Sequence, residues 1–155
     1  EIFDLASTAL LLPRREQHAL SSAPNKRVDI VLALALDGPP MLLDIAITHG
    51  LKPSTLRLAE EGPAAVATAY EAKKRAAYEP LLGTNQAMTP LVVDSFGGWG
   101  ESAEPIFARI AMAYGQRLAI TTAQARRIVT ARLNTALIRH MARLALINAD
   151  ADAAA

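Results

Sequence analysis

Two aspartates, Asp29 and Asp44, lie within strongly apolar runs of the chain, where an acidic side chain needs a specific partner. The segment Lys26–His49 reads KRVDIVLALALDGPPMLLDIAITH, and the turn residues Asp37-Gly38-Pro39-Pro40 separate two runs rich in Ile, Val and Leu. This pattern predicts two antiparallel strands with one aspartate in each. Because burying two like charges is costly, a divalent cation is the simplest compensation. Mg²⁺ suits such a site, since it prefers oxygen ligands and needs only one or two carboxylates.

The position of the turn decides whether the two carboxylates meet. Side chains alternate between the two faces of a strand, so the register fixes which residues lie opposite each other. If the turn is centred between Leu36 and Asp37, Asp29 and Asp44 become cross-strand partners with Cβ atoms about 4.5–5.5 Å apart. A turn centred on Gly38-Pro39 separates them. The spacing also permits the alternative that the aspartates lie at strand ends in water.

A helix predicted over Ala64–Leu82 carries the basic residues that could approach these carboxylates. At 100° per residue, Lys73 and Lys74 flank its apolar stripe on opposite sides, so either could reach the sheet. Tyr78 follows Lys74 by four residues and lies on the same side of the helix. The alternative is an ordinary lysine-rich solvent face. The apolar stripe is predicted to comprise Val66, Tyr70, Ala77, Tyr78 and Leu81.

A strand predicted at Thr89–Ser95 leads into the loop Phe96-Gly97-Gly98-Trp99-Gly100. Strand, glycine loop and helix is the outline of many phosphate-binding turns. This loop lacks the Lys-Ser/Thr ending of a nucleotide P-loop and the spacing of the dinucleotide fingerprint, so we exclude a nucleotide-binding loop. We expect the glycines to allow a sharp turn beside the sheet, with Phe96 and Trp99 as lids. A contact with a DNA backbone is the alternative.

The last predicted helix runs from Thr122 to about Asn148, and seven arginines but no acidic residue occur between Pro105 and Asn148. Three of them lie within about 40° of one another along one edge of the helix: Arg132, Arg139 and Arg143. Such a row suits the phosphates of a nucleic acid, and solvated arginines supporting a long helix are the alternative. The buried stripe is expected to comprise Val129, Leu133, Ala136, Leu137, Met141, Leu144 and Ile147.

Length and composition indicate a single globular domain over residues 1–155, since half of the residues are apolar and a fifth are charged. A helix is predicted over residues 1–12, followed by a polar connection over residues 14–25. The absence of cysteine excludes disulfides and thiolate zinc sites. No apolar run reaches the roughly 18 residues of a membrane-spanning helix, so no membrane partner is expected. We expect a piece of a longer polypeptide that ends in a disordered tail at residues 149–155.

The order of these elements resembles the restriction-endonuclease-like nucleases of the PD-(D/E)xK superfamily. Within them it is similar to the endonuclease domain that follows the reverse transcriptase in site-specific non-LTR retrotransposons. The matching residues, within positions 25–115, are Arg27-Val28-Asp29, Leu43-Asp44-Ile45-Ala46-Ile47-Thr48, Lys74-Arg75-Ala76-Ala77-Tyr78 and Phe96-Gly97-Gly98-Trp99-Gly100. The resemblance implies an α/β (α+β) fold with a small mixed sheet, an antiparallel hairpin, flanking helices and C-terminal helices.

The family resemblance also implies roles for the site residues. Asp29 and Asp44 would hold Mg²⁺ or Mn²⁺, aided by the backbone carbonyl of Ile45. The bound ion would activate a water molecule and neutralise charge on the scissile phosphate.

The lysine departs from the usual pattern of the superfamily. That pattern places it two residues after the second acid, where this chain has Ala46. In the retrotransposon subgroup a helical lysine takes its place, which implies Lys74 as the catalytic lysine and Lys73 as the reserve. Tyr78 would position Lys74 or form a hydrogen bond with a phosphate oxygen. A literal Glu-x-Lys at Glu71-Ala72-Lys73 lies in a helical run, and we take it as a coincidence.

The implied function is a metal-dependent DNA endonuclease that nicks target DNA, so that the new 3′ end primes reverse transcription. Its partners would be DNA, bound in part through Arg27, and the reverse transcriptase domain of the same polypeptide, with no small-molecule cofactor. A nuclear location follows if the chain derives from a retrotransposon. One alternative is a catalytically inactive relative that binds DNA or braces the polymerase. Another is an unrelated small α/β domain with solvent-exposed aspartates.

Overall fold

The computed structural model describes residues 1–17, 28–32, 41–62, 64–83 and 86–153. The strands within these residues are β1 (Pro13–Gln17), β2 (Val28–Leu32), β3 (Met41–Thr48) and β4 (Ala87–Asp94). The α-helices are α1 (Ile2–Thr8), α2 (Leu56–Glu60), α3 (Ala65–Tyr78), α4 (Ala103–Leu118) and α5 (Thr122–Ala153), and a 3₁₀ turn at Glu79–Leu81 follows α3.

The strands form one mixed sheet in the order β1-β2-β3-β4. β2 is antiparallel to both β1 and β3, whereas β3 and β4 are parallel. A parallel pair needs a crossover connection, and α2 and α3 supply it between β3 and β4. The predicted α/β class with a mixed sheet, an antiparallel hairpin and C-terminal helices is therefore confirmed. The arrangement is compatible with a restriction-endonuclease-like core.

The register of the hairpin is the one that brings the two aspartates together. Ile30 pairs with Leu43, and Leu32 pairs with Met41. In each pair the residue numbers are symmetric about the bond between Leu36 and Asp37, which confirms the first of the two predicted registers. The turn itself, at residues 33–40, lies outside the described residues.

The sheet separates two apolar clusters. Ile30, Leu43 and Leu91 belong to the main core, which also contains buried residues of α1, α4 and α5. Leu42 and Met88 belong to a smaller cluster that reaches Tyr78 at the end of α3. Because residues of opposite parity on β3 enter different clusters, the sheet is covered by helices on both faces. Asp44 shares the parity of Leu42 and so lies on the α3 side.

The N-terminal segment differs from the prediction. α1 ends at Thr8 rather than at residue 12, and Leu10 and Leu12 have φ angles of 58° and 44°, which end the helix. Pro13–Gln17 then forms the edge strand β1, where a polar connection was expected. A charged edge strand pairs through its backbone and needs no apolar alternation, so the sequence pattern does not indicate it.

The predicted buried stripe of α5 is correct only for the first half of the helix. Val129 and Leu133 are buried, Leu137 and Met141 are half-buried, and Leu144 is exposed. The second half of α5 therefore covers less of the core than the apolar pattern predicts. The helix also continues to Ala153, so residues 149–153 are helical where a disordered tail was expected.

Candidate functional site

The pairing of β2 with β3 runs from Leu32–Met41 to Ile30–Leu43, and we call the end of this pairing the fork. Asp29 precedes Ile30 and Asp44 follows Leu43, so both aspartates lie at the fork. The Asp29 carboxylate accepts a hydrogen bond of 2.6 Å from the backbone N–H of Ile45, the residue after Asp44. Asp29 thereby bridges the fork with its side chain. It is exposed, however, so the prediction of two buried aspartates is correct for Asp44 alone.

Asp44 receives two side-chain hydrogen bonds from α3. Only 6% of this residue is exposed. Its Oδ2 accepts a hydrogen bond from the Lys74 ammonium, and its Oδ1 accepts one of 3.2 Å from the Tyr78 hydroxyl. The buried carboxylate is thus paired with one cation and one neutral donor, as a buried charge requires.

α3 presents Lys74 and Tyr78 together because they are four residues apart on one side of the helix. The helix packs against β4 and β3, and its inward side includes buried Ala67 and Glu71 as well as the half-buried Lys74 and Tyr78. Lys73 is exposed. Of the two candidate lysines, the structure therefore places Lys74 at the carboxylate.

The predicted apolar stripe of α3 is rotated relative to the observed inward side. Tyr70 and Ala77 belong to the predicted stripe but are exposed, whereas the charged Glu71 is buried. The reason is that polar side chains of α3 face the sheet, where each has a polar partner. The predicted stripe is therefore correct for the buried Val66 and the half-buried Tyr78 and Leu81, and wrong for Tyr70 and Ala77.

The site favours a charged lysine and a neutral tyrosine. Burial of the ammonium lowers the pKa of Lys74, but its hydrogen bond to Asp44 and the charge of Asp44 raise it by more, so the net direction is upward from 10.5. Burial raises the pKa of Tyr78 above 10.0, and the Asp44 charge raises it further. Near neutral pH, Lys74 is therefore a cation and Tyr78 a hydroxyl donor.

The chemistry of the donor set fits a hard divalent cation. Asp29 and Asp44 contribute two charges against the single charge of Lys74, so the fork retains net negative charge. Among the residues that the structure describes, no three His, Cys, Asp or Glu side chains group closely enough to hold a metal ion. An ion held here would take most of its ligands from water or substrate, which suits Mg²⁺ and not a structural zinc ion.

Two other carboxylates near the site, those of Asp94 and Glu71, are buried, and neither was predicted to be so from the sequence. Asp94 ends β4, and its Oδ1 accepts hydrogen bonds of 2.8 Å from the N–H groups of Phe96 and Gly98. An added Cβ at Gly98 would lie 2.6 Å from the Ala64 nitrogen and from Asp94 Oδ2, so this position requires glycine. An aspartate followed by a glycine-rich turn is a sequence signal that could have indicated this arrangement.

Glu71 ties α3 to the start of α4. It is 1% exposed, and its Oε2 accepts a 3.0 Å hydrogen bond from the N–H of Ser102. Within the described part of the chain, its Oε1 has no hydrogen-bond partner. A Cβ at Gly100 would collide with the Glu71 carboxylate, so a residue without a side chain is needed there. Because Glu71 precedes Lys74 by one turn, this contact fixes the part of α3 that carries the lysine.

The predicted DNA-binding arginines have different surroundings. Arg132 forms an ion pair with Glu1, and the two side chains line a shallow cavity with Arg139. Arg139 and Arg143 are exposed along α5. Arg27 lies outside the described residues. None of the described helices is both long and apolar enough to cross a membrane.

Comparisons with models of known protein families and with curated protein sequences give no match. The interpretation of the site therefore depends on the motif order and on the geometry around Asp44.

Proposed function

We propose that this chain is a Mg²⁺- or Mn²⁺-dependent DNA endonuclease domain that nicks target DNA by hydrolysing a phosphodiester bond. The observation that carries the proposal is the pairing of one buried carboxylate, Asp44, with Lys74 and Tyr78 from α3, beside a second carboxylate, Asp29, across the fork. Two carboxylates can hold a divalent ion that activates water, and a lysine can stabilise the charge that develops on the phosphate, so this set suits phosphodiester hydrolysis.

Asp29 and Asp44 would hold the ion, with the backbone carbonyl of Ile45 as a further oxygen ligand. When bound, such an ion lowers the pKa of a water molecule and neutralises charge on the scissile phosphate. The hydrogen bond between Asp29 and the Ile45 N–H orients the exposed carboxylate, so that it does not sample solvent freely. Breaking the bond from phosphorus to the 3′ oxygen leaves a 3′ hydroxyl, which is the end that a reverse transcriptase extends.

Lys74 would act as a fixed positive charge rather than as a base. Its pKa lies above that of an ordinary lysine, so it carries a proton throughout the physiological range. A cation at this position stabilises the additional negative charge that develops on the phosphate during attack. Tyr78, whose hydroxyl donates to the same carboxylate, restricts the rotation of Asp44 and so holds it in position for the ion.

DNA binding would come from the basic residues outside the fork. The exposed Arg139 and Arg143 on α5, with Arg132 beside them, offer positive charge to a phosphate backbone. Arg27, two residues before Asp29, is proposed as a further contact on sequence grounds alone. The reverse transcriptase of the same polypeptide is the proposed protein partner.

The test is nicking of supercoiled plasmid with and without Mn²⁺, comparing the parent with Asp29→Ala and Asp44→Ala. We expect nicking that requires the metal and is lost in both variants, while DNA binding in a gel shift is retained. Metal-independent nicking, or nicking that survives both substitutions, would contradict the proposal.

The ion pair itself favours one second candidate, a catalytically inactive nuclease-like domain that binds DNA or braces the polymerase. Lys74 already neutralises Asp44, and such a pair can serve stability alone. This candidate predicts that the parent binds DNA but does not nick it with any divalent ion. Absence of nicking together with a normal gel shift would therefore select it.

A further inference from the structure

A cavity of about 440 Å³ lies at the fork, on the face of the sheet opposite α3. Ile45 and Ile47 line it from β3, and their parity points them away from the face that carries Asp44. Leu133 and Leu137 of α5 also line it. Its volume lies within the range of about 300–1,000 Å³ that is typical of small-molecule sites. The cavity is therefore large enough for an organic group rather than for a few water molecules.

The lining of this cavity combines apolar walls with polar groups of both signs. Trp99 presents an aromatic ring, while Arg15 and His140 provide hydrogen-bond donors and Asp29 provides an acceptor. Such a lining suits a ligand with flat apolar faces and with donors and acceptors along its edges. A nucleobase has these properties, and stacking on an aromatic side chain accepts any of the four bases.

Asp29 connects the cavity to the proposed metal site, since it lines the cavity and its carboxylate accepts a hydrogen bond from the N–H of Ile45, the residue after Asp44. In a nucleotide, only the sugar separates the phosphate from the base. We propose that the cavity binds the base of an unpaired nucleotide next to the scissile phosphate, an inference that rests on the proposed endonuclease function. The base stacks beside Trp99, and its edge reaches Arg15 or His140.

This assignment defines the class of substrate. A base that is stacked and paired within a duplex cannot enter a pocket, so the nucleotide must be unpaired or must leave the helix. Unpairing costs least where the nucleotide already lies in a bulge or a single strand. The preferred substrate is therefore DNA with an unpaired nucleotide at the cut site.

The first test uses deoxyadenosine, which contains a base but no phosphate and therefore needs no metal. Trp99 is the only tryptophan of the chain, so its indole N–H gives a single resonance in ¹⁵N-labelled protein. We expect deoxyadenosine to shift this resonance in metal-free buffer and deoxyribose to leave it unchanged. If deoxyadenosine gives no shift, or deoxyribose gives the same shift, the proposal is wrong.

A variant that fills the cavity tests the location. Ala136 lines the cavity, and Ala123 is an exposed alanine near the start of the same helix. We expect Ala136→Leu to weaken deoxyadenosine binding by about tenfold or more, because the added carbons occupy the space of the base. Ala123→Leu should bind as the parent does. Unchanged affinity in a folded Ala136→Leu protein would overturn the location.

Nicking then tests the link to catalysis, with a duplex carrying one unpaired nucleotide at the cut site and a fully paired duplex of the same sequence. We expect the bulged duplex to be cut at least about tenfold faster, and Ala136→Leu to lose this preference. Equal rates on the two duplexes, with no deoxyadenosine-induced shift, would overturn the cavity assignment. This outcome would not contradict the proposed endonuclease function. A protein that binds deoxyadenosine yet cuts neither duplex supports the cavity and contradicts the endonuclease.

Discussion

Asp44 and Asp94 are equally buried, at 6% exposure each, but they have opposite kinds of partner. Asp44 receives its hydrogen bonds from the side chains of Lys74 and Tyr78. Asp94 receives its bonds from two backbone N–H groups in the adjacent glycine loop. The two residues lie on neighbouring parallel strands, so burial and fold position alone do not distinguish them.

The difference lies in what each set of donors can do. A side-chain donor can rotate so that a metal ion also reaches the carboxylate, whereas a backbone donor moves only if the loop refolds. Asp44 also lies next to Ile45, whose N–H donates to a second carboxylate, Asp29, while Asp94 closes a turn. We infer that the donor type, more than burial, separates the proposed metal-binding aspartate from the structural one.

Replacing each aspartate by asparagine should give the largest contrast. Asp44→Asn removes the charge that would hold a divalent ion, so we expect metal-dependent nicking to fall by about 10³-fold or more. Asp94→Asn keeps an acceptor oxygen for the loop and should leave nicking within about threefold of the parent. Plasmid nicking rates at saturating Mn²⁺ measure both. Equal losses in the two variants would remove the proposed distinction.

Replacing Asp94 by alanine should instead destabilise the fold. The N–H groups of Phe96 and Gly98 lose their acceptor, and a buried group without a partner costs about 1–3 kcal/mol. We expect the free energy of unfolding to fall by about 2–4 kcal/mol in urea titrations. Asp29→Ala, at an exposed position, is the matched control and should change it by less than about 1 kcal/mol. A stable Asp94→Ala protein would show that solvent replaces the carboxylate.

Lys73 and Lys74 of α3 allow a second comparison, because only Lys74 contacts Asp44. Lys74→Ala removes the cation paired with Asp44, and we expect nicking to fall by about 10²-fold. Lys73→Ala changes an exposed lysine of the same type and should have little effect. Single-turnover nicking rates distinguish the two. A larger loss in the Lys73 variant would assign the catalytic role to the other lysine.

The smallest expected effect is the dependence of stability on alkaline pH. Because the pKa of Lys74 is raised in the folded protein, its contribution to stability is complete below 10.5 and is lost as the pH rises through the raised value. We expect parent and Lys74→Met to show a difference in free energy of unfolding that is constant near neutral pH and diminishes above 10.5. Urea titrations across this range measure it. A constant difference would indicate that Lys74 contributes only by packing.

The antiparallel pair could be predicted from sequence because Asp-Gly-Pro-Pro separates two apolar runs. The register followed from one assumption about where the chain reverses, and Leu43 opposite Ile30 is the pairing that this assumption predicts. β1 could not be predicted, since Pro13–Gln17 has the composition of a loop and pairs only through its backbone. Secondary structure at an edge is decided by the neighbouring strand, which a local pattern does not contain.

The helical period alone did not separate Lys73 from Lys74, and the preference for Lys74 came from the family resemblance. Both flank the apolar stripe, and the observed rotation of α3 follows from Glu71 reaching Ser102, a contact across 31 positions of the chain. The exposure of Asp29 was one of two alternatives that the sequence left open. Apolar composition predicts burial for a strand as a whole, whereas β2 has an exposed Asp29 between the buried Val28 and Ile30.

The close approach of Gly100 to Glu71 has a consequence for how the chain can vary in evolution. A side chain at position 100 would force the carboxylate, and with it the turn of α3 that bears Lys74, away from the sheet. Positions 71 and 100 should therefore covary among related chains, a residue larger than glycine at 100 occurring only with one shorter than glutamate at 71. Substitution at position 100 is thus restricted because it would displace Glu71, which lies one helical turn before Lys74.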